Sequence, residues 1–291
     1  MRLVFVHGIA QQDYTEEQLL SIWTDHLLDH GIDREKLKAA KPEMAYYGDH
    51  LYQWTKGGVA SPVPMGPPVA DGELAFLSKA LDEIARASAL DEDAIEARSN
   101  DAAVAEGANA IAQSTWLGRR AVAIVSLLEQ ISPLRGRIAA KVVRQAYVYL
   151  ANKNARADID NIVRPRLGEG EVVILSHSLG TIVAFNLLRE LSAKGADIKV
   201  PLFITVGSPL AIHEVQRLIT GDFAIPSAVQ TWMNFYDKGD PVTLGRPLAT
   251  NFAKGIVDTI VDNNTENGHS IAGYLDDKVL IDPLNRALAT N

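Results

Sequence analysis

Ser178 lies in Ser176–His177–Ser178–Leu179–Gly180–Thr181, between the apolar run Val172–Val173–Ile174–Leu175 and the apolar stretch Ile182–Val183–Ala184–Phe185. A serine hydroxyl becomes a useful nucleophile for acyl transfer only when a base stands beside it and backbone donors face the developing oxyanion. A sharp strand-to-helix turn provides both, given small residues two before and two after the serine. Gly180 meets that need because it has no Cβ to collide at a compressed turn. Ser176 is small, although the G-x-S-x-G pattern has glycine at its place. The competing reading is an ordinary strand–loop–helix connection in which Ser176 or Ser178 caps the helix.

The remaining groups follow in the order serine, acid, histidine. Asp237 and Asp240 end the stretch Gln230–Val242, and His269 comes after the apolar run Ile256–Val261 and the polar loop Asp262–Gly268. Each candidate lies just past a different expected strand, as in parallel α/β sheets, whose strand carboxyl ends share one edge. Asp240 is preferred as the acid because it lies deeper in its loop, with Pro241 restricting its backbone. Asp237 is the alternative acid, its other role being to cap the turn or pair with Lys238. His269 is read as the base; otherwise it is a helix-start or loop residue. Arg2–Ile9 reads as a buried strand closing on His7–Gly8, after which the amide of Ile9 can face an oxyanion, with the amide of Leu179 as second donor. His7 is read as a brace for that loop, and His177 as pointing sideways into the scaffold or lining an acyl pocket.

Val6–His7–Gly8–Ile9, Ser176–Thr181, Gly239–Asp240–Pro241–Val242 and Gly268–His269–Ser270 together resemble an α/β-hydrolase of the serine esterase and lipase type. The resemblance covers residues 1–50 and 136–280 and not the middle of the chain. It implies a mostly parallel sheet flanked by helices, with Ser178 as nucleophile, Asp240 as acid, His269 as base, and the amides of Ile9 and Leu179 as oxyanion hole. The expected activity is cleavage of carboxylic esters, lipid-like or small acyl, through an acyl-enzyme on Ser178. An acyltransferase, thioesterase or lactone hydrolase would use the same residues. A non-catalytic binding protein on the same fold is the reading from another class.

The elements that must position these residues are legible in outline. Glu16–His30 has an amphipathic helical pattern, Met44–Asp49 reads as a short strand with a turn, and Pro201–Val206 as a buried strand. Residues 1–50 and 136–291 are expected to form the α/β core, and 51–135 a helical insertion, read as a cap over Ser178. That insertion holds the proline-rich Ser61–Pro68 and helical patterns at Glu73–Arg86, Asp91–Arg98 and Thr115–Gln130. The plainer alternative to a cap is a helical layer or a dimer interface, and the apolar Ala121–Leu128, which would suit one wall of an acyl pocket, is otherwise a core face. Helical patterns at Arg137–Asn152 and Asp158–Leu167 lead into the serine-bearing strand. Asp49–His50, at the end of a short strand, are read mainly as loop residues, the alternative being that they border the pocket.

At 291 residues the chain suffices for one α/β domain with an insertion. A net charge of −8 without a basic run argues against nucleic-acid partners. The absence of cysteine excludes disulfides, thiolate metal sites and a cysteine nucleophile. His26 and His30 have helical i, i+4 spacing but lack an H-E-x-x-H companion, so they are read as a solvated helix face, and the chemistry calls for no metal or cofactor. The longest apolar tract falls short of the ~20 residues of a transmembrane helix. Met1 leads straight into the first strand, so a cytoplasmic location is expected. The expected partner is a small-molecule acyl ester; a homodimer is left open.

Overall fold

A computed structural model describes residues 1–55, 71–101, 115–266 and 268–289, so the proline-rich Ser61–Pro68 lies outside the described residues. The strands are β1 Arg2–Val6, β2 Glu43–Ala45, β3 Gly170–His177, β4 Ile198–Lys199, β5 Phe203–Val206, β6 Trp232–Asp237 and β7 Val257–Val261. They form one seven-stranded sheet of order β2-β1-β3-β5-β6-β7, with β4 paired to the start of β3. Every pairing among these strands is parallel. The fold is therefore α/β, a parallel sheet flanked by helices, compatible with that of an α/β-hydrolase.

Alternation along the strands splits the apolar residues between two cores, the pattern of a sheet covered on both faces. Val4, Val6, Val172, Ile174 and Phe203 face one core. Leu3, Phe5, Val173, Leu175, Ile204 and Val206 face the other. The second core is closed by Glu16–Asp29, Arg34–Ala39 and the C-terminal helices Ile271–Leu275 and Lys278–Leu288. The first is closed by the longer helices, including Asp71–Ala87, Trp116–Ile131, Arg135–Ala151, Lys153–Leu167 and Leu179–Ala193.

Local chemistry explains where these elements begin. Thr15 and Gln18 form a reciprocal capping box, the Thr15 amide donating to Gln18 Oε1 (2.8 Å) and the Gln18 amide to Thr15 Oγ1 (3.2 Å). Asn152 Oδ1 accepts from the amides of Asn154 (3.0 Å) and Ala155 (3.2 Å), so the helix expected from Asp158 already begins at Lys153. The strand expected over Met44–Asp49 stops at Ala45, and a helix runs from Gly48 to Thr55. The cause is Tyr47, whose amide donates to His7 Nε2 (2.9 Å) instead of extending the sheet.

Among the described residues of 51–135 there are helices and no strand. Arg120 ties three helices together, with Nε 2.8 Å from Asp82 and an Nη 2.9 Å from Glu92. Ala121, Ala123, Ile124, Val125 and Leu128 are buried in the first core. The helices Trp116–Ile131 and Arg135–Ala151 meet where a Cβ on Gly136 would lie 2.1 Å from the Val125 carbonyl oxygen. No helix among the described residues is long and apolar enough to cross a membrane.

That crossing has no room for a methyl group. Gly136→Ala should lower unfolding free energy by about 1–3 kcal/mol, read from urea denaturation; an unchanged midpoint would mean that the helices separate freely there.

Candidate active site

Ser178 joins β3 to the helix Leu179–Ala193 with φ 53° and ψ −127°. Such a backbone costs a non-glycine residue about 1–3 kcal/mol and persists only when its surroundings hold it. Here the Ser178 amide donates to the Val206 carbonyl of β5 (3.0 Å). The Ser178 carbonyl accepts from the Thr181 amide (3.0 Å) and the Thr181 hydroxyl (2.7 Å). A Cβ on Gly180 would lie 2.3 Å from the Val6 carbonyl oxygen and 2.4 Å from that of His7, so the new helix starts directly against β1. Ser176 serves where glycine is usual because its hydroxyl donates across to the Ile204 carbonyl (3.1 Å) and is fully buried.

The structure brings together Ser178, His269 and Asp240. The Ser178 hydroxyl donates to His269 Nε2 (2.9 Å), and His269 Nδ1 donates to Asp240 Oδ2 (2.7 Å). The carboxylate only accepts, so the imidazole proton belongs on Nδ1. Asp240 also accepts from the Val242 amide (2.8 Å) and from the Tyr274 hydroxyl (2.7 Å). All three residues are buried. Tyr274 was not singled out in the sequence; its only signal was a position five residues past His269.

Asp237, the last residue of β6, has no contact of this kind with His269. Its Oδ1 accepts from the amides of Gly239 and Asp240 (the latter at 3.1 Å), and its Oδ2 from the Asn263 amide (2.6 Å). It thus ties the exits of β6 and β7 together. His177 Nε2 donates to the carbonyl of His269 (2.9 Å), so His177 holds the backbone of that residue. Arg135, at the start of its helix, has a buried Nε unpartnered among the described residues; burial lowers its pKa, opposed by the charges of Asp240 and Asp237.

Two amides lie beside Ser178. A Cβ on Gly8 would sit 2.7 Å from Ser178 Cβ, which brings the β1 exit next to the serine. No described residue accepts a hydrogen bond from the amide of Ile9 or of Leu179. Each is nevertheless oriented, because in a trans peptide the N–H points opposite to the carbonyl it is bonded to. His7 Nδ1 donates to the Gly8 carbonyl (2.7 Å), which aims the Ile9 amide the other way. The two Thr181 donors on the Ser178 carbonyl do the same for Leu179. His7 is itself held through Nε2 by Tyr47, whose ring stacks on it at 4.0 Å and whose hydroxyl donates to the His7 carbonyl.

A cavity of about 450 Å³ opens at His269, lined by Ile9, Leu19, Ile22, Ile138, Ile271 and His177 among others. Its helical wall comes from Leu134, Arg137, Ile138 and Lys141. The expected acyl wall at Ala121–Leu128 is not part of it, because those side chains are spent on packing between helices. Asp49 and His50 do not line it either; they sit on the helix Gly48–Thr55, where Asp49 accepts from the Tyr46 hydroxyl (3.2 Å).

Among the described residues, two groups of possible metal ligands stand elsewhere. Asp276 joins His26 and His30, its Oδ1 3.1 and 3.3 Å from their Nδ1 atoms, a third donor that helical spacing alone did not reveal. Glu83, His213 and Glu214 also converge, but there the Glu83 carboxylate accepts the amides of His213 (2.8 Å) and Glu214 (3.0 Å), which makes it a cap for a helix start. No protein-family model and no curated protein sequence matches the chain.

Burial pushes the His7 imidazole down to about 4 and holds His177 well below the ordinary histidine range, the latter with help from neighbouring His269. Both stay neutral when folded, whereas the unfolded chain takes up their protons below pH ~6.5. Their contribution to stability is therefore full above that pH and declines below it, the His7 part being lost as the pH falls toward about 4. Urea midpoints should drop from pH 7.5 to pH 5, and less steeply in a His7→Gln variant; equal slopes would remove His7 as a cause.

Proposed function

We propose that the chain is a serine hydrolase that cleaves carboxylic esters through an acyl-enzyme on Ser178. One observation carries this reading: a hydroxyl 2.9 Å from an imidazole nitrogen whose opposite nitrogen is 2.7 Å from a buried carboxylate. In attack, Ser178 Oγ bonds to the acyl carbon as its proton passes to His269 Nε2. Asp240 stays ionised, holds the tautomer and stabilises the imidazolium. The carbonyl electron pair moves to oxygen, where the amides of Ile9 and Leu179 are the donors; one such donor lowers the barrier by about 3 kcal/mol. Collapse expels the alcohol, which takes the proton from His269. Water then repeats the sequence with His269 as base and releases the acid.

Ser178 has no exposed surface, while the cavity reaches the imidazole. Under this reading an acyl group gains Oγ when the elements above it shift. The helices of 51–135 are the proposed cap, together with the turn Ser132–Leu134, where the Ser132 hydroxyl donates to the Glu266 carbonyl of the His269 loop.

A fluorophosphonate probe should add once to the wild-type chain, by intact mass, and not to Ser178→Ala. Wild-type protein that is folded yet unlabelled and inert toward 4-nitrophenyl esters would overturn the reading. Asp240→Asn should reduce ester kcat by about ten-thousandfold through the wrong tautomer. Asp237→Asn should lose less activity and more stability, because an amide nitrogen would then face backbone donors. A larger kinetic loss at Asp237 would reverse the assignment of the acid.

A further inference from the structure

The cavity at His269 is apolar over most of its lining, yet one wall carries two cations, Arg137 and Lys141, a helical turn apart with Ile138 beside them. Arg137 is answered by Glu129, Nε to carboxylate 3.1 Å. Lys141 is not: it is half-buried and makes no ion pair or hydrogen bond with any described residue. Asp13 is the acid whose charge bears on it, and that residue is exposed and accepts from Gln12 Nε2 (2.9 Å). Burial lowers the pKa of the Lys141 ammonium, with Asp13 opposing. A partly desolvated cation without a partner is unfavourable unless something completes it. Tyr14, His177 and His269, the other titratable groups on this cavity, include no carboxylate to do so.

We infer that this cavity takes an ester whose end remote from the scissile bond carries an anionic group, carboxylate or phosphate, and that Lys141 is its counter-charge. The inference rests on the reading of Ser178 as nucleophile. Ile9, Leu19, Ile22, Ile138 and Ile271 line the same cavity, an apolar surface suited to a short aliphatic chain. A volume of about 450 Å³ is within the range of small-ligand sites. The chain as a whole carries −8, which repels anions, so a local cation is what would make such a ligand welcome. An ammonium is a point charge and does not by itself separate carboxylate from phosphate.

The test compares 4-nitrophenyl hexanoate, the mono-4-nitrophenyl ester of hexanedioic acid, and a 4-nitrophenyl ester of similar length ending in phosphate. Wild-type kcat/KM should favour at least one anionic ester by roughly ten- to a hundredfold. Which of the two it favours identifies the group. Lys141→Gln should bring the anionic-to-neutral ratio toward one, and Lys141→Arg should retain it. A wild-type ratio at or below one, or a ratio that Lys141→Gln leaves unchanged, overturns the subsite; a snorkelling lysine that merely covers apolar surface gives that result. A second arm needs no turnover: calorimetric binding of the monobutyl ester of hexanedioic acid and of butyl hexanoate to Ser178→Ala, with and without Lys141→Gln. Tighter, Lys141-dependent binding of the anionic ester upholds the subsite even if Ser178 proves not to be a nucleophile. Equal binding of the two overturns it even if Ser178 is labelled.

Discussion

The contact between Gly180 and the end of β1 is the constraint on which the site depends. With the carbonyls of Val6 and His7 less than a van der Waals separation from where a Cβ would be, the helix after Ser178 can begin only against β1. This requires β1 and β3 to be neighbours, and their register pairs Val6 with Ser176, two residues before the turn. The chain leaves β1 for β2 on one side and returns to β3 on the other, so the connections diverge at that place and open a crevice above the strand ends. The strained backbone of Ser178 is thus a consequence of how the sheet is wound. It is tolerated because β5 takes its amide and Thr181 its carbonyl.

The two aspartates after β6 have diverged in role through what their oxygens meet. Asp237 is saturated by backbone amides from two loops, so its charge stabilises chain direction. One oxygen of Asp240 is taken by the Val242 amide, and the other is left for the imidazole and the Tyr274 hydroxyl. Tyr274 also accepts the Asp237 amide (3.3 Å), so one phenol links Asp240 to the strand end from which it hangs. The loop bearing His269 is fastened further by Asn263 Nδ2 donating to the Ser270 carbonyl (2.8 Å) and by His177 on the His269 carbonyl. His269 and Asp240 therefore approach each other from two loops that share Asp237 as an anchor at their roots.

The parallel sheet was legible because its strands are short apolar runs closed by turn residues, and those closures, more than the apolar run, separate a buried strand from a buried helix. The meeting of Ser178, Asp240 and His269 was legible because parallel strands deliver their ends to one edge. What could not be read were the interactions between elements far apart in sequence. Tyr47 leaves its strand early for a nitrogen of His7, and β4 is a two-residue pairing with no pattern of its own. Ala121–Leu128 looked like a pocket wall because an apolar face reads the same whether it meets a ligand or another helix. The cavity lining, which omits this segment, and the Gly136 crossing, a feature of backbone approach, decide between them.

Three buried histidines stand within this site, and their nitrogens sort them by what each can do. His7 has one nitrogen on a carbonyl and the other on an amide, so both are committed to backbone and the ring has no proton to exchange without breaking the β1 exit. His177 spends Nε2 on the carbonyl of His269, and burial beside another imidazole keeps it neutral. His269 alone among them faces a carboxylate on one side and a hydroxyl on the other. A proton gained at its Nε2 would be met by a negative charge at its Nδ1, whereas a proton gained by either neighbour would meet none. The asymmetry that suits one imidazole to proton transfer thus follows from the partners of all three, and the two that cannot act hold the backbone on which the third depends.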